Sequence, residues 1–115
     1  GKIMPLLEIS TNTEVENAEA VARQASKLTA EILGKPESYV MVKIKPAQTL
    51  LFAGSVEPAA HLKLKSLGLP ENHTAEYSSK LCSFISSSLG IESSRIYIEF
   101  SNPERHMWGW DERTF

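Results

Sequence analysis

The chain has 115 residues, 42% of them apolar and 23% charged, with a formal charge of −2. That length supports one domain burying roughly 65% of its unfolded surface, and the charge offers no basic footprint for nucleic acid. A single cysteine, Cys82, excludes an internal disulfide and dithiol chemistry. No apolar run reaches the length of a membrane span or a signal-peptide core, which predicts a chain made in the cytosol with no membrane partner.

Gly1, Lys2 and Ile3 precede a Met4-Pro5 pair. The expectation is that residues 1–4 are a remnant ahead of the working chain, with a natural start at Met4. Removing Met4 would leave Pro5 as a terminal secondary amine, which takes and returns protons near neutral pH, whereas an internal proline is an amide with no basic nitrogen. An apolar pocket around that amine would lower its pKa further and suit it to act as a general base.

From Pro5 the chain enters an apolar strand over residues 6–11. Thr13 with Glu16 fits a capping box, and Val15, Ala18, Ala22, Ala25, Leu28 and Ile32 follow at helical spacing up to Gly34. Glycine suits the left-handed position that closes a helix. Next comes a strand whose Val40, Val42 and Ile44 alternate with Met41 and Lys43. Residues 47–53 read as a short edge strand ahead of Gly54-Ser55, and roughly 61–67 as a further strand. Asn72-His73-Thr74 fits a glycosylation sequon, but without an entry signal it reads as a chance match. A second helix carries Tyr77, Leu81, Phe84, Ile85, Ser88 and Leu89, with Cys82 as a small core-side residue rather than a nucleophile. After Gly90 comes a last strand, with Ile96, Ile98 and Phe100 opposite Arg95, Tyr97 and Glu99.

The two halves repeat one another. Leu33, Gly34, Ser38, Val40, Val42 and Ile44 match Leu89, Gly90, Ser94, Ile96, Ile98 and Phe100 position for position. Two such β-α-β units predict an α+β fold: a four-stranded sheet with both helices on one face, plus short edge strands. Val40, Val42, Ile44, Ile96, Ile98 and Phe100 should face the helices. The other face is mixed in character, and edge strands need pairing or protection, so assembly into an oligomer is expected.

Several stretches in order carry a family resemblance: PLLEISTN (5–12), GKPESYV (34–40), GSVEP (54–58), SLG (66–68), RIYI (95–98), WGW (108–110) and TF (114–115). Together they resemble the macrophage migration inhibitory factor family of the tautomerase superfamily, over nearly all of residues 5–115. The resemblance implies a single domain over 5–115 and a homotrimer with pockets between neighbouring subunits. It further implies cofactor-independent and metal-independent keto–enol tautomerisation of phenylpyruvate-type 2-oxo acids and dopachrome analogues.

Residue by residue, the resemblance implies Pro5 as the catalytic acid/base and Lys35 as the anchor of the substrate carboxylate. On its own Lys35 also fits a cation favoured at a helix C-terminus. Leu67 falls where the family offers a backbone amide to substrate, with the neighbouring Ser66 nearby. Tyr97 matches a tyrosine lent by the adjacent subunit, and Trp108, Trp110 and Phe115 would form aromatic walls that also seal the interface.

The chain departs from the family pattern at three places. Glu99 stands where an asparagine is usual in the vertebrate cytokine, and would oppose an anionic substrate or pair with Lys35. Trp108 replaces a smaller aliphatic residue and narrows the pocket. Ala59 and Leu62 occupy the positions of the family's Cys-x-x-Cys, so the thiol oxidoreductase activity linked to it is expected to be absent. With residues 1–4 attached, Pro5 is an amide and the chain is expected to be poorly active. The competing reading is a cytokine-like signalling protein, exported by an unconventional route to a cell-surface receptor, with a secondary or vestigial tautomerase site.

Overall fold

The computed structural model describes residues 4–115, so Gly1, Lys2 and Ile3 of the expected extension lie outside the described residues. Its main elements are β1 (Leu6–Thr11), α1 (Ala18–Leu33), β2 (Met41–Lys45), β3 (Ala60–Lys65), α2 (Thr74–Leu89) and β4 (Ile96–Ser101). A small hairpin of β5 (Gly109–Trp110) and β6 (Arg113–Thr114) ends the chain. Short 3-10 turns precede β2, α2, β4 and β5.

The main sheet runs β2-β1-β3-β4. Within each half the strands are parallel, β1 with β2 and β3 with β4, and the halves join antiparallel through β1 and β3. A parallel pair needs a crossover, and each helix supplies one.

Alternation sets the layers. Leu7, Ile9 and Thr11 of β1 and Ala60, Leu62 and Leu64 of β3 are buried. All but Thr11 pack into one core with Ala25 and Leu33 of α1 and Tyr77, Leu81 and Ile85 of α2. Each fully buried leucine or isoleucine contributes about 2 kcal/mol. Val42, Ile98 and Phe100 pack against that core, while Met41 and Tyr97 point the other way and are 64% and 66% exposed. Cys82 also lies half-buried against the core, on the side its spacing predicts.

The two helix ends close as the repeat predicts, with Gly34 at φ +64° and Gly90 at φ +69°. Their caps differ in detail. Gly34 and Lys35 donate to Glu31 and Ala30, a Schellman pair, whereas Gly90 donates to Ser86 alone.

Three local expectations need correction. The helix cap is Asn17, whose Oδ1 accepts from the Ala20 amide at 3.1 Å, and not the Thr13–Glu16 box. Thr13 is engaged elsewhere, its amide donating to Thr11 Oγ1, so the chain leaves β1 through a side-chain turn before the helix starts. Residues 47–53 form no strand. Ala47 and Ala53 both sit at φ +54°, and among the described residues the strand-like pairing of this segment is limited to the bridge between Phe52 and Ser55 around Ala53-Gly54. Finally, β3 ends at Lys65, which leaves Ser66 and Leu67 in the connection that follows.

Candidate active site

Sheet direction decides what can meet Pro5. Pro5 opens the central strand β1, and its carbonyl accepts from the Met41 amide at 2.9 Å, which ties it to the start of β2. The turn that leaves α1 carries Lys35 towards that same edge. Because β3 runs antiparallel to β1, its last residue, Lys65, pairs with Leu6. Ser66 and Leu67 therefore lie at the Pro5 end of the sheet. β4 runs with β3, so the tail that follows Ser101 leaves from that end too.

Pro5 is fully buried there and Met4 is 7% exposed. Ser66 and Leu67 are both 0% exposed, and Lys35 is half-buried. The loop carrying Leu67 is braced on both sides. Ser66 donates its amide to Ser101, and Gly68 donates to Asn102 Oδ1 at 3.1 Å. Asn102 in turn donates from Nδ2 to Glu71 at 2.9 Å. Trp108 reaches the same end, its ring 5.3 Å from the Lys65 ammonium. Trp110 stacks on Phe115 with centroids 6.1 Å apart and planes 12° from parallel, flanked by Arg113 and Arg105.

Two expected site residues are elsewhere. Tyr97 pairs with His61 in register, at the opposite end of the sheet. Five residues of strand separate that level from Pro5, roughly 17 Å. Glu99 lies between the two ends and is hydrogen-bonded to His61, so its carboxylate meets an imidazole rather than Lys35. One chain thus places Pro5, Ser66 and Leu67 at one end of the sheet, with Trp108 against Lys65 there and Lys35 in the connection that leads into β2, while Tyr97 and Glu99 lie away from that end.

The exposed sheet face holds charge that sequence reading passed over. A cavity of about 310 Å³ is lined by Leu6, Glu8, Lys63, Lys65, Glu99 and Ser101. The Lys45 ammonium, 3.1 Å from Glu8, holds that carboxyl below the ordinary carboxylate range; partial burial opposes it, and Lys43 and Lys63 add to the lowering. The signal was present as lysines alternating at 43, 45, 63 and 65. A larger hollow of about 600 Å³, between the start of α1 and the end of α2, lies on the helix layer far from Pro5. Among the described residues no His, Cys, Asp and Glu converge where a metal ion could sit, and no helix is long and apolar enough to cross a membrane.

Comparison with known proteins matches this frame throughout. The profile described as macrophage migration inhibitory factor (MIF) covers residues 4–115. The chain belongs to the MIF family. The MIF homolog of Trichuris trichiura is 38% identical over 114 residues, covering 97% of this chain and 100% of the relative. That of Trichinella spiralis is 36% identical with the same coverage. The crystal structure of the MIF homologue from Prochlorococcus marinus superposes with a TM-score of 0.90 at 37% identity, over 96% of this chain and 98% of that one. At this level the protein is MIF-type and tautomerase-related, with the four-stranded sheet and paired helices of its relatives.

Proposed function

We propose that the chain beginning at Pro5 is a cofactor-independent tautomerase of phenylpyruvate-type 2-oxo acids and dopachrome analogues, working as a homotrimer. The observation that carries this reading is the placement at one sheet end of Pro5, ahead of β1, with Lys35, Ser66, Leu67 and Trp108 on three separate connections of the fold. The placement of Tyr97 at the opposite end supports an intersubunit pocket, because a neighbour can present that end of its β4 to this Pro5.

In this reading the neutral Pro5 nitrogen takes the enol hydroxyl proton, and the electron pair left behind forms the carbonyl as the enol double bond shifts. The resulting Pro5 ammonium returns a proton to carbon. One group performs both transfers, so the isomerisation balances without redox change. Lys35 and the Leu67 amide hold the carboxylate and the adjacent oxygen, where negative charge gathers. Burial of Pro5 at this end of the sheet disfavours its charged form and keeps the amine available as a base.

The test is phenylpyruvate tautomerisation by protein starting at Pro5, beside the full chain and a Pro5→Gly variant of the shortened chain. Removal of a general base costs about 100-fold or more, so the shortened protein should exceed both others by that factor. Equal rates in all three would remove the catalytic reading and leave receptor binding as the function to pursue.

A further inference from the structure

The residues around Tyr97 carry an arrangement that the proton-transfer chemistry does not use. Arg95 ends the 3-10 turn before β4, two residues ahead of Tyr97 on the same side of the chain. Its guanidinium meets four backbone carbonyls of one loop. Nε donates to Pro58 at 2.9 Å, Nη1 to Phe52 at 3.2 Å, and Nη2 to Ser55 at 3.2 Å and Glu57 at 3.0 Å. Its Cζ also lies 5.1 Å from the centroid of the Phe52 ring. That ring then meets Tyr97 edge-on, with centroids 5.0 Å apart and planes at 80°.

Five donors in a fixed plane let arginine bridge carbonyls that diverge from one another; a lysine ammonium is a point donor that cannot span them. Asn12 completes the fastening from the other side, with Nδ2 donating to Leu50, Val56 and Glu57 and Oδ1 accepting from Ala59. Among the described residues the loop has no strand pairing beyond the Phe52–Ser55 bridge, and these two side chains tie it to the rest of the fold. Tyr97 itself is 66% exposed, and an exposed ring on a strand turns freely among rotamers unless a neighbour stops it. Phe52 is that neighbour.

We propose that Arg95 is a positioning residue for Tyr97: by clamping the 52–58 loop and backing the Phe52 ring, it aims the phenol that the proposed function places against substrate. This rests on that reading for its effect on activity, but its structural half stands alone. The chain of contact is guanidinium, phenyl ring, phenol, and it sets substrate affinity rather than proton transfer.

The experiment uses protein starting at Pro5, with R95K, F52L, Y97A and the double variant R95K/Y97A. For phenylpyruvate, R95K and F52L are expected to raise KM about three- to tenfold, the span that an aromatic contact commands, with kcat unchanged within about twofold. In the Y97A background R95K should have no further effect on KM, since its target is gone. Effects that multiply in the double variant, or a fall in kcat at constant KM, would overturn the proposal. A second readout needs no activity: 19F NMR of fluorotyrosine-labelled protein, with Y97F assigning the line. R95K should move the Tyr97 resonance towards that of a free ring while the other tyrosine lines stay. An unmoved line sinks the proposal even in a fully active enzyme. A moved line in an enzyme that turns over nothing would retain the positioning role and discard only the substrate assignment.

Discussion

The two halves of this chain share a path and differ in how they are fastened. Buried positions of the helices match at the repeat spacing: Ala25 with Leu81 and Thr29 with Ile85. The first helix thus buries small or polar residues where the second buries large apolar ones. Polar contacts make up the deficit in the first half. Asn17 caps α1, Thr29 Oγ1 donates to Ala25 at 2.8 Å, and Thr11 Oγ1 donates to Ala59 at 2.8 Å. By contrast α2 has no side-chain cap and continues directly from a 3-10 turn. The duplication preserved a shape, and each copy found its own way to hold it.

That contrast can be broken first at the core. Leu81→Ala should cost about 2–5 kcal/mol, while Ala25→Gly at the matching position should cost about 1 kcal/mol, mostly from backbone freedom; urea unfolding compares them directly. Equal losses would show that bulk does not distinguish the halves. Next comes the polar fastening around residues 50–59. Asn12→Ala removes the donors to three carbonyls and the acceptor for Ala59, a loss of about 1–3 kcal/mol. Hydrogen exchange should locate the loosening in that loop and leave α2 protected.

A smaller effect is expected at the helix start, where Asn17→Ala should lower stability by about 1 kcal/mol. Thr13→Ala, at the position the sequence offered as cap, should leave the start of α1 intact by the same measurement. The smallest difference is one of pH. The Glu8 carboxyl is held low in the folded chain, chiefly by Lys45, so its contribution is present above the ordinary carboxylate range. It disappears as pH falls through the depressed folded value. Wild type should therefore lead Glu8→Gln in denaturation midpoint at neutral pH, and the two curves should converge in acid. A gap that persists at low pH would trace the effect to packing instead of charge.

What could be read in advance follows the same division. The doubled Leu-Gly pairs and the alternation at Val42, Ile44, Ile96 and Ile98 express the fold through local periodicity, and the sheet and both helices follow from it. The Thr13–Glu16 box failed because spacing alone cannot tell that Thr11 already holds the Thr13 amide. Residues 47–53 failed for a related reason: their apolar content resembles a strand, yet Ala47 and Ala53 take positive φ and Arg95 and Asn12 satisfy the backbone in place of a neighbouring strand.

For the site, the family pattern pointed to Pro5, Lys35 and Leu67, but neither periodicity nor spacing could pair His61 with Glu99. That contact depends on the register of two strands thirty-odd residues apart, seen in Lys63 opposite Glu99. Arg95 was legible only as an outward-facing residue, because its partners are carbonyls, which no side-chain pattern reveals.

The burial of Met4 and Pro5 has a consequence for maturation. A peptide bond between two buried residues is closed to a peptidase once the strand has formed, so the free Pro5 amine that the proposed function requires would have to be made while the chain is still emerging or still folding. A chain starting at Met4 that refolds before methionine aminopeptidase is added should keep its methionine by mass spectrometry, whereas one that meets the peptidase during refolding should lose it. On the proposed function, the share of catalytically competent molecules would then be set once, in a race at synthesis, and no later processing of the folded protein would raise it.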